Sequence, residues 1–152
     1  MSDPLLPRTS SWFPPAFPSP AARVGVLTRS LLRMPHLAAF LGSEPLFRPA
    51  LLPFGEQPVA ALAGREGRTS ASRAKELAAS HNLPYLALED GFLRSMALPG
   101  RDAPTCSLIA DDTGLFYDAG RPSRLENLLN ASGWETPSLM AEADRALHAM
   151  LG

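Results

Sequence analysis

The sequence predicts an α/β fold: a Rossmann-like parallel sheet with flanking helices. Three observations carry this expectation. Apolar runs of strand length occur at Val24-Gly25-Val26-Leu27-Thr28, Val59-Ala60-Ala61-Leu62-Ala63 and Tyr85-Leu86-Ala87-Leu88, and each reads as a short buried strand. A helical stretch separates the second run from the third. Strand, helix, strand at this spacing is a βαβ unit, which requires parallel strands and a right-handed crossover. Finally, two runs end abruptly in acidic residues: Leu86-Ala87-Leu88-Glu89-Asp90-Gly91-Phe92-Leu93-Arg94-Ser95, and Ser107-Leu108-Ile109-Ala110-Asp111-Asp112-Thr113-Gly114-Leu115-Phe116-Tyr117-Asp118. In open α/β sheets, ligands sit at the carboxyl ends of strands, so two acid-tipped strands in succession predict a site.

The totals set the bounds. A chain of 152 residues can bury one real core. The net charge of -1 gives no basic field, so nucleic acid is not an expected partner. No apolar run approaches the ~20 residues of a membrane helix. The single Cys106 can form no internal disulfide, which suits a reducing compartment, and it excludes a structural zinc site of the multi-cysteine kind. His36, His81 and His148 are scattered without metal-ligand spacing, so no metal site is expected.

Along the chain, residues 1–22 hold six of the sixteen prolines, with Trp12, Phe13 and Phe17 interleaved. This composition predicts a disordered or loosely attached tail, with a proline-rich docking peptide as the functional alternative. The ordered domain is expected to run over residues 23–152. After the first strand, residues 29–33 read as a loop. Pro35 is placed for the first turn of a helix over His36 to Leu41, which Gly42 ends. The proline-rich connection from Ser43 to Pro58 has room for a short strand near Leu51. A helix from about Ala71 to Ser80 carries Leu77 and Ala78 on its apolar side. Pro122-Ser123 opens a helix through about Asn130. A last helix runs from about Pro137 to Met150, with Leu139, Ala143, Ala146, Leu147 and Met150 near helical spacing.

Chemistry can sit in three places. Gly64-Arg65-Glu66-Gly67-Arg68-Thr69-Ser70 lies between a strand and a helix, where glycines admit a phosphate and a helix N-terminus offers N–H groups. It matches neither G-x-G-x-x-G nor Walker A, and a glycine turn with an exposed arginine and a Ser/Thr cap is the simpler reading. Glu89 and Asp90 are adjacent at a strand end, so their side chains point in opposite directions. A carboxylate there can act as base, bind sugar hydroxyls, or clamp Arg94 and shape the loop. Asp111 and Asp118 are the third candidate. Asp-Asp-Thr-Gly is also good turn chemistry, which accounts for Asp112 and Gly114.

Taken together, the chain resembles the capsule polysaccharide biosynthesis family, the KpsC/LipA-type β-Kdo glycosyltransferases of Gram-negative bacteria. The resemblance rests on Gly25 to Ser30, Met34-Pro35-His36-Leu37, Phe40-Leu41-Gly42, Arg73-Ala74-Lys75 with Leu77-Ala78, Leu88 to Ser95, Ser107 to Asp112, Gly114 to Ala119 and Pro122-Ser123-Arg124-Leu125-Glu126. It implies a GT-B-like fold, in which two Rossmann-like halves enclose a cleft. It implies CMP-Kdo as donor and a lipid-linked Kdo acceptor at the inner membrane, with a cytoplasmic, peripheral location. Retention of the β configuration implies a covalent Kdo–carboxylate intermediate. CMP-Kdo carries one phosphate and no diphosphate, so no cofactor or metal is called for. Glu89 and Asp90 are then the catalytic candidates, and Arg94, Ser95, Asp111 and Asp118 bind substrate. Where the family carries Gly-Arg-Lys-Pro ahead of its helix, this chain has Gly67-Arg68-Thr69-Ser70. A GT-B module needs a second Rossmann half and whole family members are several times longer, so the chain is expected to be a truncated N-terminal half. Its C-terminal half would be the missing partner, and the nucleophile would lie beyond Gly152. An inactive fragment and a partner-binding half-domain are the alternatives.

Overall fold

A computed structural model of the protein describes residues 22–48, 59–94 and 105–151. Residues 1–21 of the expected tail, the strand near Leu51, and Ser95 lie outside the described residues. The chain divides into two units, Met1–Asp112 and Thr113–Gly152.

In the first unit the apolar runs become strands and pack on both faces. Its elements are β1 (Arg23–Val26), α1 (Arg29–Leu32), α2 (Leu37–Leu41), β2 (Glu44–Phe47), β3 (Ala61–Arg65), α3 (Thr69–Ser80), β4 (Tyr85–Asp90) and β5 (Leu108–Asp111). They form a five-stranded sheet in the order β2-β1-β3-β4-β5. The architecture is α/β and Rossmann-like. Side chains alternate across a strand, and two cores result. On one face Val24, Val26, Ala61, Ala63, Leu86 and Leu88 pack with Leu31, Leu37 and Leu41 of α1 and α2. On the other, Leu62 packs with Val59 and Ala78, joined by Leu46, Leu77 and Tyr85. Fully buried leucines such as Leu62 and Leu86 each contribute about 1.5–3 kcal/mol through apolar burial.

The α3 helix lies close to the sheet because its inner side is small. Ala71, Ala74 and Ala78 are its buried residues, and Gly64 faces them from β3. A Cβ on Gly64 would stand 2.9 Å from the Ala71 Cα and 2.8 Å from the Tyr85 hydroxyl oxygen, so only glycine admits this approach.

Several expectations need correction. Residues 29–32 form a helical turn, not a loop, because Leu31 is buried in the core and Leu32 and Met34 pack against it; tertiary burial overrides weak local propensity. His36 adopts the left-handed conformation (φ 61°) as N-cap of α2, so that helix begins at Leu37 and Pro35 stays outside its first turn. Gly42 does end α2, in the left-handed conformation (φ 61°). The largest departure is β5. Strands β1 to β4 are mutually parallel, whereas β5 pairs antiparallel with β4. The sequence between them carries Pro99, Gly100 and Pro104, residue types that punctuate a helix rather than extend one, and an antiparallel pair needs no crossover. The ribbon continues past the strands, with Gly91 N–H donating to Ser107 O at 2.9 Å and Cys106 N–H to Arg94 O at 2.9 Å.

The second unit contains α4 (Arg124–Asn130) and α5 (Pro137–Leu151). Ser-x-x-Glu opens α4 as a reciprocal cap: Glu126 N–H donates to Ser123 Oγ at 3.1 Å, and Ser123 N–H donates to Glu126 Oε2 at 2.7 Å. Helix α5 forms as its spacing predicts, yet none of its residues is buried. No helix among the described residues is long and apolar enough to cross a membrane.

Candidate functional site

The strand order reverses between β1 and β3. From β1 the chain passes to β2 on one side, then returns to β3 on the other. Connections leaving two such strands diverge, and a crevice opens outside their carboxyl ends. A cavity of about 530 Å³ fills this place, within the size range of small-molecule sites. Its apolar part is Leu27, Leu31, Met34 and Ala63. Its polar part is Thr28 and Ser30 from the β1 side, and Arg65, Arg68, Thr69 and Ser70 from the β3–α3 loop.

That loop is fastened from beneath. The Tyr85 hydroxyl lies 2.9 Å from Glu66 Oε1 and 3.2 Å from the Gly64 carbonyl oxygen. Lys75 Nζ pairs with Glu66 Oε1 at 2.9 Å and stands over the Tyr85 ring, 5.3 Å from its centroid. Burial first, then the hydrogen bond to Glu66 and the charge of Glu66, push the Tyr85 phenol far above its ordinary range. The phenol therefore stays a donor.

Helix α3 begins at Thr69 with Arg68 as N-cap, and no side chain caps it. The expected Ser/Thr cap is thus a correction: Thr69 and Ser70 lie in the first turn, where they line the cavity.

The carboxylates of β4 stand beside the cavity. Arg65, Ala63 and Ala61 share one face of β3, and Asp90, Leu88 and Leu86 share the same face of β4. Arg65 Nη2 reaches Asp90 Oδ2 at 2.6 Å, and Arg94 Nε reaches the same oxygen at 2.9 Å. Glu89 Oε1 accepts the Asp90 N–H at 3.0 Å and lies 3.9 Å from Arg65 Nη2. Asp90 therefore joins the Arg94 side of the β4–β5 ribbon to the loop that walls the cavity. The clamp to Arg94 read from the sequence is present, and Arg65 is a partner that sequence reasoning missed.

The other candidates fall elsewhere. Because β5 is antiparallel, Asp111 pairs with Ala87 while Asp90 pairs with Leu108. The two acidic tips point to opposite ends of the sheet, which corrects the expectation of one shared edge. Asp111 is buried there. Asp118 belongs to the second unit, where its carboxylate pairs with Arg121 Nε at 3.0 Å and accepts the Gly120 N–H at 3.0 Å. Thr28, Ser30, Arg65 and Arg68 carried no assigned role in the sequence. The one signal for Arg65 and Arg68 was their place in a glycine loop between a strand and a helix.

Comparison with known proteins gives a consistent set of relatives. A family model described as capsule polysaccharide biosynthesis protein matches residues 61–149. The capsule polysaccharide modification protein LipA of Neisseria meningitidis serogroup B is 37% identical over 124 residues, covering 82% of this chain and 17% of that protein. The lipopolysaccharide-processing protein LpsZ of Rhizobium meliloti is 35% identical over 85 residues, covering 56% of this chain and 19% of that protein. Among solved structures, Thermosulfurimonas dismutans KpsC, a beta Kdo 2,4 transferase, superimposes with a TM-score of 0.71 at 49% identity, covering 84% of this chain and 38% of that one. The chain thus spans less than a fifth of the curated relatives it matches (17% and 19%).

Proposed function

The chain belongs to the capsule polysaccharide biosynthesis protein family, and we propose that it is the N-terminal Rossmann-like part of a retaining glycosyltransferase module. That module moves β-Kdo from CMP-Kdo to a lipid-linked Kdo acceptor. The observation that carries the reading is the 49% identity to a beta Kdo 2,4 transferase across 84% of this chain. A ligand-sized cleft at the reversal of strand order supports it.

In this reading the cleft receives part of one substrate. Glu89 and Asp90 shape the sugar site at the end of β4, with Asp90 positioning Arg65. Arg94 receives the carboxylate or phosphate of donor or acceptor, since a guanidinium fork suits both, and Ser95 is a further substrate-binding candidate. Asp111 and Asp118 remain substrate-binding candidates. Retention follows from two displacements: a carboxylate of the remaining module takes the anomeric carbon from CMP, and the acceptor hydroxyl then takes it from that carboxylate. The protein works in the cytoplasm, at the inner-membrane surface that holds the lipid-linked acceptor.

The test begins with the gene product, sized with an antibody to residues 85–118. A species well above 16.3 kDa is assayed for Kdo transfer from CMP-Kdo to a Kdo-terminated glycolipid. Transfer that depends on Asp90 and Arg94 supports the reading. Full transfer by both Asp90→Ala and Arg94→Ala removes these assignments. A partner-binding half-domain without catalysis is the second reading, favoured by the exposed Leu147 and Met150 of α5. A monomeric chain that captures no other component removes it.

A further inference from the structure

Two guanidinium groups and four hydroxyls line the cleft between β1 and β3, and among the described residues no carboxylate does. Arg65 is already bridged to Asp90 at 2.6 Å. Arg68 differs: it is exposed and forms no ion pair among the described residues. It stands where α3 begins, and the first turn of that helix contains no acidic residue. Thr69 and Ser70 follow it, while Thr28 and Ser30 face the same space from the β1 side. The unanswered positive charge, the ring of hydroxyls and the positive end of a twelve-residue helix converge on one cavity. Leu27, Leu31, Met34 and Ala63 give the same cavity an apolar floor. A fully polar ion alone would gain nothing from that floor.

The geometry points to an anion subsite in this cleft, in which Arg68 receives the carboxylate or phosphate of an acidic sugar or sugar nucleotide. Thr28, Ser30, Thr69 and Ser70 bond the neighbouring oxygens, and the floor covers a ring face. Arg65, held by Asp90, orients the loop and supplies weaker attraction. This subsite deepens the proposed function and rests on it for the choice of probes.

Kdo offers a carboxylate without a phosphate, and CMP offers a phosphate without an acidic sugar. Each is titrated into the full 152-residue chain by calorimetry, with amide shifts followed by NMR. Cytidine and a neutral hexose serve as controls. Binding of Kdo alone assigns the site to the carboxylate, and binding of CMP alone assigns it to the phosphate. In either case shifts gather at residues 28–30 and 68–70. Arg68→Gln weakens binding about tenfold or more, as loss of a charged hydrogen bond does, and Arg68→Lys loses less. Arg73→Gln, at an exposed position on the same helix, leaves binding unchanged. Neither anion binding, equal binding of the neutral controls, or indifference to Arg68→Gln overturns the subsite. In the longer gene product, Kdo transfer with an unchanged KM in Arg68→Gln refutes the subsite alone. Anion binding by the chain with no transfer by that longer product refutes the glycosyltransferase reading alone.

Discussion

The Arg65 guanidinium meets the Asp90 carboxylate at 2.6 Å across two parallel strands, although Arg65 is in register with Leu88. The contact is diagonal, two residues along β4, and long side chains on one face can span it. Arg94 shares the same carboxylate oxygen at 2.9 Å. Asp90→Asn leaves two guanidinium groups facing an amide. Arg65 and Arg94 are 36% and 61% exposed, so solvent screens the loss. The expected cost is about 0.5–1 kcal/mol, read as a lower denaturant midpoint with unchanged slope. A midpoint equal to wild type would show that the cluster contributes nothing to stability.

Gly64 is predicted to be intolerant of any side chain. Even Gly64→Ala brings a Cβ to 2.9 Å from the Ala71 Cα, and helix and strand must part to relieve it. Overpacking of this kind costs about 1–3 kcal/mol. Thermal unfolding of the variant measures it, and an unchanged Tm would mean that α3 stands off the sheet.

Tyr85 makes stability fall in alkali. Its folded pKa is raised above the ordinary 10.0 by burial, then by the bond to Glu66 and the charge of Glu66. The unfolded chain releases this proton at lower pH than the folded chain does. The contribution is therefore complete below about pH 10 and is lost as pH rises past it. Tyr85→Phe should flatten that alkaline decline while losing the hydrogen bond to Glu66. Denaturant midpoints from pH 8 to 11 compare the two proteins. Parallel curves would count against the linkage.

The cap of α4 titrates in the opposite sense. The Ser123 N–H, and then its hydroxyl, lower the Glu126 carboxyl from its ordinary 4.5. A depressed folded pKa gives stability that is present above about pH 4.5 and is lost as pH falls through the folded value. Ser123→Ala removes both the hydroxyl acceptor and one donor to Glu126, at a cost of about 1 kcal/mol. Amide protection across residues 124–127, taken relative to intrinsic exchange rates, should fall in acid for wild type and vary little with pH in Glu126→Gln. Equal acid sensitivity in both would remove the role of Glu126.

The parts of this fold that a sequence reveals are those set by local chemistry. Apolar runs place β1, β3 and β4, Gly42 stops α2, and Ser123 opens α4. Strand direction is a different matter, because an apolar run reads the same whichever way its strand lies. Strand β5 runs antiparallel to β4, which carries Asp111 away from Asp90. The cleft was hidden for a related reason. Its two walls come from residues 27–34 and 63–70, and strand order alone makes them neighbours. Arg65 and Asp90 lie 25 positions apart, and nothing local to either announces the pair. The glycine loop was visible, but the helix start within it was not, since Thr69 and Ser70 resemble a cap as readily as a first turn.

The alanine seam of α3 fixes the length of the loop before it. An α-helix turns by about 100° per residue. One inserted residue between Gly64 and Thr69 would bring Ser70, Arg73 and Leu77 to the places of Ala71, Ala74 and Ala78. One deleted residue would bring Ser72, Lys75 and Ala79 there. Either change drives a long cationic side chain against the sheet where a methyl group now fits. Single-residue indels within this loop are therefore closed, and the distance from Arg65 to Arg68 is inherited with the packing.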